Sequence, residues 1–243
     1  MGRTILPTAE ADLLYPRAVD ILLEIDKLEE DIKESKNAVT GELVIGASTV
    51  PGTYILPQLA ATFKKKFPSI SFEISIDQTE KIIDSVAANQ LYMGMVGAKI
   101  PSSKLTYEKY SEDQLLLAAA TDFSSAPVIS VADLKNLPFI VREKGSGTRK
   151  SIELLLHQHN QSIKDLNIIA TLGSSAAVKE AVKANLGVSI ISQHTIKEEL
   201  LNGKVKKIDI EGFHFLRSFY LVTPKKRSLP HHYRTFISYI SAN

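Results

Sequence analysis

Residues 43–63, LVIGASTVPGTYILPQLAATF, run from an apolar strand into Ser48 and Thr49 and then into helical spacing. The same transition recurs at 137–156, LPFIVREKGSGTRKSIELLL, where Ser146, Gly147 and Thr148 follow the strand. It recurs again at 166–182, LNIIATLGSSAAVKEAV, where Gly173, Ser174 and Ser175 do. The first N–H groups of a helix lack intrahelical partners and carry the positive end of its dipole, so they attract anions. In an open α/β sheet, ligands collect at the C-terminal ends of the strands. Three such loops converging on one cleft would make a receptor for a small polar molecule, best an anionic one.

Outward from these loops, strand and helix signals alternate. Strands are predicted at 43–47, 71–76, 93–96, 114–120, 139–142, 167–171, 188–192 and 219–222. Helices are predicted at 53–67, 79–89, 131–134, 148–160, 175–184, 195–201 and 231–240. The helix before Pro68 must stop there, because proline cannot continue it. Alternating β and α implies α/β layers with mostly parallel sheets. No repeat of fixed period and no low-complexity stretch interrupts the pattern.

Residues 8–36 read as one long helix, with Thr8 as N-cap and Glu10 and Asp12 at its positive end. Leu14, Ala18, Ile21, Ile25, Leu28 and Ile32 are spaced 4, 3, 4, 3, 4, which is a heptad seam. Pro16 should kink its first turns. An amphipathic helix packed on its own domain is one reading. The narrow stripe and charged flanks favour pairing between molecules. The segment carries nine acidic and four basic side chains, a balance of −5 that leaves +7 for the rest of a chain totalling +2. Such an acidic helix would be repelled by DNA phosphates.

Composition is that of a globular chain large enough for a sizeable core, 44% hydrophobic and 23% charged over 243 residues. There is no cysteine, which excludes disulfides, thiolate catalysis and cysteine-based zinc sites, and fits the cytoplasm. No apolar run is long enough to span a membrane, and the N-terminus lacks the apolar core of a signal peptide.

The chain resembles the C-terminal part of LysR-type transcriptional regulators. TAEADLLYPRAVDIL resembles the start of that family's linker helix, and GELVIGASTVPGTYILPQLAATFKKKFPSISFEI its first strand–helix–strand unit. AVKANLGVSIIS resembles its late helix–glycine–strand element, and RSFYLVTPKKRSLPHHYRTFISYI its C-terminal end. VREKGSGTRKSIE resembles regulators of carbon-fixation operons and of sulfur metabolism. The resemblance implies two Rossmann-like subdomains of periplasmic-binding-protein type, joined by two crossover strands and preceded by a long linker helix. Residues 1–40 would be the end of a wing and the dimerisation helix. Subdomain I would comprise 41–117 and 217–243, and subdomain II 118–216, with the effector between them. DNA contact would belong to an N-terminal winged helix-turn-helix, of which RTILPT resembles the last residues. The chain departs from the family pattern at Tyr92, where an acidic residue is usual, and at Asn185, where glycine is common and asparagine tolerates the same left-handed cap.

The effector site expected on this basis comprises Ser48, Thr49, Ser146, Gly147, Thr148, Arg149, Ser174 and Ser175. Each hydroxyl can equally serve as a helix cap. Gly145 and Gly147, flanking Ser146, suggest close backbone approach to a ligand. Arg149 can face either the cleft or solvent. His157 and His159 point to different helix faces, His231 and His232 lie in a basic stretch, and neither pair suggests a metal. Glu143 has no partnered base, so no catalytic role and no cofactor are expected. The leading function is effector sensing by a dimer, or a tetramer when full length, controlling attached DNA-binding domains without membrane contact. A solute-binding protein of a transporter shares the cleft logic, and an enzyme on the same scaffold ranks last.

Overall fold

The computed structural model describes residues 7–34, 39–212 and 215–242. Helix α1 (Ala9–Glu34) is continuous through Pro16. It leaves Leu14, Ile21, Ile25 and Leu28 between 50% and 67% exposed, so its seam is not packed on the rest of the chain. The side chain of Ile32 lies outside the described residues.

The first half of the body follows. Strand β1 (Gly41–Ser48) leads through a π-helical turn (Pro51–Ile55) into α2 (Leu56–Lys66). Then come β2 (Ile70–Asp77), α3 (Thr79–Ala87) and β3 (Met93–Val96). Strand β1 pairs in parallel with β2 on one side and β3 on the other. Alternation along β1 sends Leu43, Ile45 and Ala47 into a core with Phe63, Phe219 and Phe236. A second core, around Ile82, Val86 and Val222, gathers α3. Each face of the sheet thus buries its own helices, which is why the strand reads as nearly unbroken apolar sequence.

Strand β4 (Leu105–Ala120) then leaves this half and enters the next. It is 16 residues long, more than twice the predicted length, because its first part, LTYEKYSED, carries too many polar side chains to look buried. The second half contains β5 (Val128–Ile129), a 3-10 turn (Val131–Asn136), β6 (Phe139–Arg142) and α4 (Gly147–Gln158). It continues through β7 (Ile168–Leu172), α5 (Ser175–Lys183), β8 (Ser189–Ser192), α6 (Gln193–Leu201) and β9 (Val205–Ile210). Asn185 has φ +58 after α5, the left-handed cap expected of it. Cores again form on both faces, one around Phe139, Leu155 and Ile190, the other around Ile140, Val178 and Ile196. Strand β10 (Leu216–Pro224) returns to the first half, and α7 (His231–Ser241) closes it.

The sheets are mixed rather than mostly parallel. Strand β10 runs antiparallel to both β3 and β4, and β4 runs antiparallel to β8 and β9. The reason is topological: β4 and β10 carry the chain out of one half and back, so they must oppose each other. The continuous sheet has the order β2-β1-β3-β10-β4-β9-β5, with β8 on β4. Strands β6 and β7 join it through a parallel bridge between Phe139 and Val188.

Tyr92 lies in the first half. Its ring packs 5.0 Å from Tyr233 and the Arg227 guanidinium sits 3.6 Å above it. It does not line the cavity described next.

Candidate functional site

Where the two halves face each other, the ends of several strands enclose a small cavity. Ser48 and Thr49 come from the end of β1, Gln78 and Thr79 from the β2–α3 turn, and Gly97 follows β3. From the other half come Arg142 at the end of β6 and Ser146, Gly147 and Thr148 at the start of α4. Arg217, on the returning strand β10, completes the wall.

The first two predicted loops therefore meet, and the third stands behind them. Ser175 is buried and its hydroxyl accepts from Arg142 Nη1 at 2.6 Å. Ser174 caps α5, accepting from the Ala177 N–H at 3.1 Å, and does not line the cavity. Arg149 does not line it either. Its Nε is 2.9 Å from Glu153, and its Nη1 donates to the Arg142 carbonyl at 3.0 Å. The i,i+4 spacing of Arg149 and Glu153 on α4 accounts for that orientation.

The arginines at the cavity are Arg142 and Arg217 rather than Arg149. Arg142 donates to both oxygens of Glu143 at 2.8 Å and to Thr49 Oγ1 at 3.2 Å, bridging the two halves. Arg217 bridges them as well: Nε donates to Asp113 at 2.7 Å and Nη1 to Thr148 Oγ1 at 3.0 Å. The second oxygen of Asp113 accepts from Ser192 at 2.8 Å. Burial pulls the Arg217 guanidinium below its ordinary pKa and the charge of Arg142 adds to that pull, while Asp113 opposes it.

Two polar atoms at this cavity, Arg217 Nη2 and Thr79 Oγ1, have no partner among the described residues. Thr79 is 1% exposed and Arg217 9%. The start of α3 has no side-chain cap, and neither has the π-helical turn after β1. Ser48 is already engaged, accepting from the Gly97 N–H at 3.2 Å. The guanidiniums are matched by Asp113 and Glu143, so the donors left open at the cavity are the uncapped helix starts and the unpaired atoms.

The cleft is nearly shut. Its free volume is about 10 Å3, room for one water. A Cβ added to Gly147 would come within 2.7 Å of Thr79 Oγ1, and one on Gly145 (φ +86) within 2.5 Å of Gln78 Oε1. Glycine is what lets these lips touch. Among the described residues, no group of His, Cys, Asp and Glu could hold a metal ion. No helix of the described residues is long and apolar enough to cross a membrane.

Two α/β halves, two crossover strands and a polar cleft between them define a ligand receptor of the periplasmic-binding-protein kind. A family model described as the LysR substrate binding domain matches residues 36–243, and the chain belongs to that family. A "Probable RuBisCO transcriptional regulator" of Guillardia theta is 33% identical over 225 residues, covering 90% of this chain and 73% of that protein. The "HTH-type transcriptional regulator CysL" of Bacillus subtilis is 30% identical over 220 residues, covering 89% and 73%. The regulatory domain of Synechocystis PCC6803 CcmR, solved in complex with 2-PG, matches with TM-score 0.76 and 28% identity, covering 84% of this chain and 97% of that one. The relatives are transcriptional regulators and not transporter binding proteins, so the transporter alternative falls.

Proposed function

We propose that this chain is the cytoplasmic sensing module of a LysR-type regulator, without catalytic activity, and that it closes on a small anion. Ser48, Thr49, Ser146, Gly147 and Thr148 line the site, joined by Thr79, Arg142 and Arg217. Ser175 acts through Arg142, while Arg149 and Ser174 stand outside the contact set. The observation that carries this reading is the pair of buried, unpartnered atoms, Arg217 Nη2 and Thr79 Oγ1, on one cavity. Leaving such groups unpaired costs about 1–3 kcal/mol each, which an anion's oxygen would recover. Binding requires the lips to part and close again, and that movement alters the relation between halves 41–117 with 217–243 and 118–216. The heptad seam of α1, exposed at Leu14, Ile21, Ile25 and Leu28, pairs two copies, and a further segment of the regulator reads DNA. The complex of CcmR with 2-PG supports a small polar effector.

Calorimetric titration with inorganic phosphate, 2-PG and short carboxylates tests this. One of them should bind, and Thr148→Val, which removes the hydroxyl facing Arg217, should weaken it about tenfold or more. Absence of binding by every anion, or unchanged affinity in both Thr148→Val and Ser48→Ala, overturns the site.

A further inference from the structure

A larger opening lies elsewhere. A cleft of about 720 Å3 separates α2 from α5 and α6, with residues 110–112 of β4 between them. Small-molecule sites occupy about 300–1,000 Å3. The cleft shares no lining residue with the cavity between the strand ends.

Its polar groups carry both signs. Lys179 Nζ lies 2.9 Å from Glu199, with the side chains 18% and 11% exposed. Burial works against both charges, yet their mutual hydrogen bond prevails: Lys179 is held above its ordinary pKa and Glu199 below. Beside them Thr195, 2% exposed, lines the cleft with a hydroxyl that has no partner among the described residues. Tyr54, Leu59 and Tyr110 form partly buried apolar walls packed against the first core. Tyr54, pushed above its ordinary pKa by burial, stays a neutral phenol.

We propose that this cleft is a second ligand site, for a zwitterionic amino acid with an apolar or aromatic side chain. Lys179 spends one of its three donors on Glu199, so the others and the Thr195 hydroxyl can receive a carboxylate. The second oxygen of Glu199 can accept from an ammonium group. A simple anion drawn to Lys179 would crowd the carboxylate of Glu199, and a simple cation drawn to Glu199 would crowd the ammonium of Lys179; a molecule with both charges satisfies the pair without breaking it. The walls of Tyr54, Leu59 and Tyr110 take its side chain.

The test is calorimetric titration of the intact chain with L-phenylalanine and L-leucine. At least one should bind saturably, with unchanged affinity in Thr148→Val, whose site is the other cavity. Thr195→Val keeps the shape and removes the unpaired hydroxyl, so its fold should survive and its affinity should fall about tenfold or more. Lys179→Met should abolish binding, with circular dichroism confirming the fold. The proposal is overturned if neither amino acid binds, if Thr195→Val binds as tightly as the parent, or if Thr148→Val removes the signal.

Discussion

Asp113 shows how much of this molecule hangs on single buried charges. At 1% exposure it holds Arg217 on one oxygen and Ser192 on the other. Asp113→Asn keeps the shape and leaves Arg217 buried without a counter-charge. The expected loss is about 3–5 kcal/mol, read from the shift of a urea unfolding curve, and an unshifted curve would show that the pair contributes no stability. Hydroxyls of the cavity were legible in the sequence because Ser48, Ser146 and Thr148 sit where a strand gives way to a helix. Arg142 and Arg217 were not. An arginine closing FIVR, or second in LRSFYLVTP, reads as a solvated strand end. The only available signal was a charge adjoining residues too apolar to face water.

Elements are joined by side chains whose partners lie far off in sequence. Tyr233 on α7 accepts from the Val44 N–H at 2.9 Å and donates to the Val44 carbonyl at 3.1 Å, tying the last helix to β1. Burial raises its phenol to about 12. A raised folded pKa means that the folded state keeps its proton longer, so this stabilisation is complete below about pH 10 and is lost between about pH 10 and 12. Accordingly, the melting-temperature advantage of the parent over Tyr233→Phe should shrink across that window and stay constant below it. A constant gap throughout would deny the link. At the cleft, the starts of α3 and α4 touch only because Gly147 has no side chain. Gly147→Ala should hold the lips apart, weakening the proposed anion affinity about tenfold or more while stability falls by about 1 kcal/mol, a contrast that calorimetry and thermal melts resolve. Equal affinity would mean that closure is unnecessary for binding. Helices and the parallel strands β1, β2, β3, β6 and β7 were readable from apolar periodicity, whereas the two-residue β5 was not. The first part of β4 and all of β9 escaped because Leu105–Ala120 and Val205–Ile210 alternate polar and apolar residues too unevenly to resemble buried strands.

At the scale of the whole molecule, α1 is the element that the proposed pairing of two copies would cover. Ile25→Asp places a charge in the proposed seam, where pairing would bury it without a partner. Analytical ultracentrifugation should find the intact chain associated and the variant lighter at the same concentration; identical masses would remove the seam as an interface. The heptad spacing made the helix legible, whereas its isolation from the body was visible only once the exposure of Leu14, Ile21 and Leu28 was known. Strand β10 has a consequence of another kind. It is the last strand in the chain, yet it sits between β3 and β4 in the sheet, and α7 behind it supplies Tyr233, Phe236 and Ile240 to the core begun by β1. On the ribosome, the half that is started first is therefore completed last. Its core stays open until residues beyond 216 emerge, while the residues inserted between the two crossover strands have already been made and can settle around their own cores.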